Sequence, residues 1–403
     1  MMMMRTRLFI LAGAALMLCG LFRNATAQDA EGADADAAEA PAATAEITQY
    51  GITFTLDRAC PHGQFANGDY WVAPPADGDP VVVTAIAPAF DGKHHGWEAN
   101  PDSYHRHGYD HRANGFRADR VPDLPYRVPA GKTVSVVKTV SVAPELRGRQ
   151  ARPALLTAAV LTVLPEIPAD GGGTLFRPPY FGDDKPTYHT GALRIDKLPS
   201  LEPAAKHHIT LEHVARRFQR VWLDDKQNWS GRFIHPKKNM PAYGSGICKT
   251  SGAAVLRLML DGTPAEKMPA LVNVVQWGLD LYQLRRAGMR WPPNGGHDHG
   301  RKLVIAFAGV MLDDEAMQDA AAVADIRDYR KQYQANVYHE DSSVYYSPVA
   351  RRVLWGQTMA NQYWRRLCGG SGSKTARDPY GYIDGGMQPG GSYQRCCNSM
   401  TWK

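Results

Sequence analysis

At 403 residues, 44% hydrophobic and 21% charged, the chain exceeds the usual size of one hydrophobic core, which excludes a single small domain and leads us to expect two cores. Its formal charge of +6 counts three arginines near the start (Arg5, Arg7, Arg23) and six acids just after them (Asp29, Glu31, Asp34, Asp36, Glu39, Glu46), so the body beyond carries about +9. A basic body on an exported protein favours an anionic polysaccharide over nucleic acid as partner, with a merely solubilising surface charge as the plain alternative.

Residues 1–27 read as a secretory signal peptide: Arg5 and Arg7 give a basic start, Leu8 to Phe22 an apolar run, and Ala25-Thr26-Ala27 a small-residue site cleaved after Ala27. The run is shorter than the ~20 residues that span a bilayer. A periplasmic or secreted protein is therefore expected, with no stable membrane span after cleavage. Lipid anchoring at Cys19 is the lesser alternative, because Leu18 before it is not small. Residues 28–46, rich in alanine and acids with no aromatic side chain, are expected to be a disordered linker.

From 47 to 165, β-branched runs separated by Pro and Gly predict strands at Ile52 to Leu56, Tyr70 to Val72, Val81 to Ile86, Thr133 to Val142 and Leu155 to Leu164. The alternation in Thr133-Val134-Ser135-Val136 suits a sheet with one buried face, and a β-sandwich domain is expected. Residues 166–205, rich in Pro, Gly and Asp, form a connector. The pattern from 206 to 403 is helical. Ile209, Leu211, Val214, Phe218, Val221 and Trp222 recur at helical spacing, ending near Asp224. A second apolar stretch spans Ile247 to Leu260. Thr263, Pro264 and Glu266 form a capping box that opens a helix running to Ala287. Further helices are predicted at Lys302 to Leu312, Asp314 to about Tyr333, and Pro348 to Leu367. Such α-hairpins pack as a bundle or an incomplete α/α toroid. The fold class expected is thus α+β: a β-sandwich followed by a toroid-like helical domain. The chain stops at Thr401-Trp402-Lys403, where Asn398-Ser399 reads as the cap of another helix, so a truncated C-terminus is expected.

Five cysteines follow the signal (Cys60, Cys248, Cys368, Cys396, Cys397). The odd number leaves one thiol over. Adjacent Cys396 and Cys397 meet disulfide geometry poorly, so one of them pairing with Cys368 or Cys248 is the arrangement to test. No spacing suits a four-ligand zinc site.

Chemistry is concentrated in three segments. WPPNGGHDHGRK, Trp291 to Lys302, gathers Asn294, His297, Asp298, His299 and Arg301 between two helices, with glycines that let a backbone turn sharply; an ordinary capping loop is the alternative. Metal binding by His297 and His299 lacks an obvious third ligand. His94, His95, His105, His107 and His111 interleave with Trp97, Tyr104 and Tyr109 around Asn100. Rings beside polar groups suit stacking on sugars, a solvated loop being the alternative. Asp378 to Trp402 places Tyr380, Tyr382, Asp384, Tyr393 and Gln394 among glycines, as a cleft wall or as a plain surface loop. Trp97, Asn100, Tyr393 and Gln394 are the substrate-binding candidates.

At the Asn294/His297/His299 and Tyr380/Tyr382 segments, and in its helical texture from about His208 onward, the chain resembles exported polysaccharide lyases of the alginate-lyase and heparinase type. The resemblance implies a helical toroid with a β-sandwich, and β-elimination on a uronate-containing polymer. Removal of the C5 proton requires a neutralised neighbouring carboxylate. Asn294 and Arg301 suit that role, His297 or His299 would take the proton, and Tyr380 or Tyr382 would protonate the leaving oxygen. Two other readings stand beside it. A glycoside hydrolase on an α/α toroid would need two carboxylates flanking the bond, drawn from Asp224, Asp225, Asp298 and Asp384. A non-catalytic carbohydrate-binding envelope protein would only hold polymer. There is no P-loop, dinucleotide fingerprint or nucleophile elbow, and no cofactor or metal is expected.

Overall fold

A computed structural model of the protein describes residues 41–146, 152–204, 209–292, 296–322, 337–340, 344–347 and 352–355. Eight strands form one curled, mixed sheet: β1 Ala43–Gln49, β2 Ile52–Gln64, β3 Tyr70–Val72, β4 Val82–Ala87, β5 Trp97–Ala99, β6 Tyr126–Arg127, β7 Val134–Ser141 and β8 Leu155–Val163. Their order is β5-β7-β8-β3-β2-β4-β6, with β1 also paired to β2, and only β3 and β8 run parallel. The sheet curls because β2 is long enough to serve two halves. Its first residues, Thr53 to Leu56, pair with β4, and its last, His62 to Gln64, pair with β3. The β1–β2 turn falls on Tyr50 and Gly51, both left-handed with φ of 55° and 80°, the backbone that a tight hairpin demands.

Period-two alternation then gives β7 and β8 two buried faces. Val134 and Val136 with Ala159, Leu161 and Val163 join Ile52, Phe54, Val83 and Ile86 in a core between the two halves of the sheet. The intervening Val137, Ala158 and Val160 join the apolar residues of the helices in a second core. This double burial is why β8 reads as a nearly unbroken apolar run.

The C-terminal part is helical: α1 Leu211–Gln219, α2 Asn228–Ile234, α3 Gly244–Met259, α4 Pro264–Arg286, α5 Lys302–Met311 and α6 Glu315–Ala321. The molecule is therefore α+β, and its described residues from Pro41 onward pack as one compact unit. The capping box of α4 forms as read: the Thr263 hydroxyl accepts the Glu266 N–H at 3.3 Å, and the Thr263 N–H donates to the Glu266 carboxylate at 2.8 Å. Helix α4 is buried nearly all round, because α1 covers one side and α5 another. Gly278 permits the second contact, since a Cβ there would run into Ala308.

Three sequence expectations are corrected. Helix α1 stops at Gln219, with Arg220 already extended at ψ of 147°. Val221, Trp222 and Leu223 leave the helix to fill the core, and the Trp222 indole closes the end by donating to the Arg217 carbonyl at 3.0 Å. Helix α2 was not anticipated. The helix expected from Pro348 is replaced at 352–355 by β10 Arg352–Trp355, antiparallel to β9 Val344–Ser347; Val344, Tyr345, Tyr346 and Val353 are strand formers. The later part of that helix, and 323–336 of the preceding one, lie outside the described residues. Among the described residues, no helix is long and apolar enough to cross a membrane.

The connector is pinned at both ends of its span. Buried Arg177 donates from Nε to Asp69 at 2.7 Å and from Nη2 to Asp280 of α4 at 2.6 Å. Lys185 donates to Ser135 of β7 at 3.1 Å and to the Pro179 and Tyr180 carbonyls.

Candidate functional site

The loop entering α5 is held by groups that its own sequence does not contain. After α1, the extended run carries Asp224 into the core, where it receives a two-pronged contact from Arg301: Nε to Oδ2 and Nη2 to Oδ1, each at 2.7 Å. The other arm of Arg301 gathers the loop, with Nη1 donating to the carbonyls of His297 at 3.1 Å and His299 at 2.8 Å. His235, at the end of α2, meets Asp224 Oδ1 at 3.2 Å through Nε2, and its Nδ1 lies 3.1 Å from the Ala242 carbonyl. Burial works against the Asp224 carboxylate, but the Arg301 charge and the bonds from Arg301 and His235 hold its pKa below the usual range. Glycines allow the loop to dock. Gly300 turns at φ of 95°, donates its N–H to Glu340 at 2.6 Å, and leaves no room for a Cβ beside Cys248. At the start of α3, a Cβ on Gly244 would strike the His297 carbonyl.

This scaffold turns successive side chains in opposite directions. His297 is half-buried at the surface, its ring meeting the edge of Tyr243 at 4.9 Å. Its Nδ1 is buried and makes no hydrogen bond. Burial first, and then the charges of Arg232, Arg152 and Arg301, pull its pKa down to about 4, so it is a neutral imidazole at ordinary pH. The Arg232 guanidinium lies over the Tyr243 ring at 4.9 Å, and that of Arg152 over Trp229 at 5.0 Å and Phe233 at 5.7 Å. Trp229 is 46% exposed, a large aromatic surface left open beside two cations. A neutral base, a phenol, two guanidiniums and an exposed indole thus occupy one stretch of surface.

The other residues singled out from sequence lie elsewhere. His299 is buried and stacks on His339 at 3.5 Å between ring centres. Asp298 points inward and accepts the Asn228 N–H at 3.0 Å, its pKa pushed up to about 7 chiefly by burial. Arg301 is 1% exposed and committed to Asp224 and the loop carbonyls. Its role here is to position the loop. Trp97 is packed in the core between the sheet halves, edge-on to Tyr126 at 5.6 Å. Asn100 braces a corner: Oδ1 accepts the Ser135 N–H at 2.7 Å and Nδ2 donates to Asp183 at 2.9 Å. The histidines near the sheet form local pairs, such as His94 with Asp91 at 2.9 Å and with the His111 ring at 4.7 Å. Asn294, Tyr380, Tyr382, Tyr393 and Gln394 lie outside the described residues.

Arg152, Trp229, Arg232 and Tyr243 were missed by the sequence reading. Trp229, Arg232 and Phe233 do carry a signal, the i, i+3, i+4 spacing of one helical face, but only once α2 is known to be a helix. Among the described residues, no group of three or more His, Cys, Asp or Glu side chains converges as a metal site. Cys60 and Cys248 are free thiols, and burial, then Glu340, pushes the Cys248 thiol up to about 12. Compared with protein-family models, with curated proteins and with solved structures, the chain matches none.

Proposed function

We propose that the protein is an exported polysaccharide lyase that cleaves a uronate-containing polymer by β-elimination, with the curled sheet as its β-sandwich and helices α1 to α6 as part of an α/α toroid. The observation that carries this reading is His297: a neutral imidazole with an unsatisfied Nδ1, at the surface, within reach of Tyr243 and two arginines. In the reaction, the imidazole takes the C5 proton. The C5–H electron pair becomes the C4=C5 double bond, the C4–O4 bond breaks toward oxygen, and the Tyr243 phenol supplies the proton that O4 needs. His299, stacked in the interior, is not placed to meet a polymer.

The hydrolase reading finds less support. Asp224, Asp225 and Asp298 are 0%, 0% and 1% exposed, so none of them flanks a surface-bound glycosidic bond, and Asp384 lies outside the described residues. The binding-protein reading shares the same surface and differs only in having no product.

The test is incubation with polyglucuronate, alginate and ulvan, reading ultraviolet absorbance from the unsaturated product. His297→Ala is expected to lower the rate about a hundredfold or more, as removal of a general base does, with the circular dichroism spectrum unchanged. Because the free imidazole becomes protonated only as the pH falls through about 4, kcat/KM should lose activity on the acid side near that value and not near the ordinary histidine range. Full activity in the variant, or new reducing ends without ultraviolet absorbance, would overturn the proposal.

A further inference from the structure

We infer that Arg232, supported by Arg152, seats the acidic substituent of the sugar being deprotonated, and that Trp229 carries the ring of its neighbour. This rests on the lyase reading and names the subsites of the same surface. Three observations converge on it. Helix α2 presents Trp229, Arg232 and Phe233 together, and Arg152 lies against the two rings at 5.0 and 5.7 Å. Arg232 makes no ion pair with any described carboxylate, and its Nε is buried without a hydrogen bond. Such a donor costs stability unless a ligand completes it. Finally, Arg232 sits on the same tyrosine ring that touches His297, so an anion on Arg232 would belong to a sugar within reach of the base.

Charge and shape narrow the ligand. Two neighbouring guanidiniums repel each other, and burial followed by the charge of Arg152 lowers the pKa of Arg232. An oxyanion relieves that repulsion, and a carboxylate matches the planar fork of arginine with two parallel hydrogen bonds. Arg301, the sequence candidate for this task, is already engaged by Asp224 and two carbonyls. Beside the anion, the open face of Trp229 suits the apolar face of a pyranose. The site therefore selects a polymer whose acidic sugar has an adjoining ring to stack, and it discriminates against a neutral chain of equal length.

Calorimetric titration of the full chain decides this, in a His297→Ala background to prevent turnover. The probes are a glucuronic acid trimer, inorganic sulfate and cellotriose. The parent should bind the acidic trimer and ignore cellotriose. Arg232→Gln should weaken trimer binding roughly tenfold or more, as loss of a charge-assisted pair does, while Arg232→Lys recovers part of it. Trp229→Ala should weaken the trimer and leave sulfate unaffected. The inference is overturned if Arg232→Gln binds the trimer as the parent does. It also falls if the parent binds no trimer, or if cellotriose binds equally well. Should sulfate match the trimer and Trp229→Ala change nothing, the stacking half is overturned. If instead no polymer yields an unsaturated product while trimer binding follows these expectations, the lyase reading fails and the subsites stand.

Discussion

Asp225 and Asp298 are buried carboxyls that the fold keeps from ionising easily. Burial is the chief cause for both, and each pKa is pushed up to about 7. Asp225 meets the Tyr109 hydroxyl at 3.3 Å, and one oxygen of each carboxyl lacks a hydrogen bond. In the unfolded chain such groups ionise near pH 4. Between about pH 4 and 7 the folded state therefore holds protons that the unfolded state releases, and stability falls as the pH rises through that window. The melting temperature should climb when the protein is taken from about pH 7.5 to about pH 5.5. Asp225→Asn and Asp298→Asn should each flatten the slope; a slope unchanged in both variants would show that these carboxyls are ionised in the folded protein. The same residues mark how far the sequence could be read. WPPNGGHDHGRK was legible as a polar, glycine-bent loop between helices. That His297 faces outward while Asp298, His299 and Arg301 face inward was not, because Asp224, far away in sequence, decides where Arg301 goes.

Asp224, His235 and Arg301 join the end of α2, the run after α1 and the start of α5. Arg301→Ala would leave the Asp224 carboxylate buried with only His235 beside it, at a cost of about 3 to 5 kcal/mol. Denaturant midpoints should show that loss, and Asp224→Ala combined with Arg301→Ala should cost clearly less than the two single changes added together. Simple additivity would mean that the pair is not coupled. Element boundaries were legible where local chemistry sets them, as at the Thr263 and Glu266 cap of α4. They were not legible where packing sets them. The apolar spacing of α1 continues through Val221 and Trp222, yet those residues serve the core from an extended backbone. Likewise, the 344–355 pairing depends on a strand partner that periodicity alone does not reveal.

The strands and helices share a core along one face of β7 and β8, and Arg177 fastens the connector to Asp69 on one side and to α4 on the other. Unfolding in guanidinium chloride should accordingly be a single transition, with tryptophan fluorescence and far-ultraviolet circular dichroism superimposing. Arg177→Met should move its midpoint. Two separated transitions would mean that the strands and the helices melt independently. The strand-then-helix order was plain from composition and periodicity. The shared core was not, since a run such as Leu155-Leu156-Thr157-Ala158-Ala159-Val160 does not say that both of its faces have partners.

That second face has a practical consequence for dissecting the protein. A piece ending at the connector would carry Val137, Leu155, Ala158 and Val160 as a bare greasy stripe, with Asp69 and Arg177 deprived of Asp280. Neither half is self-sufficient, and each acts as the other's solubilising coat.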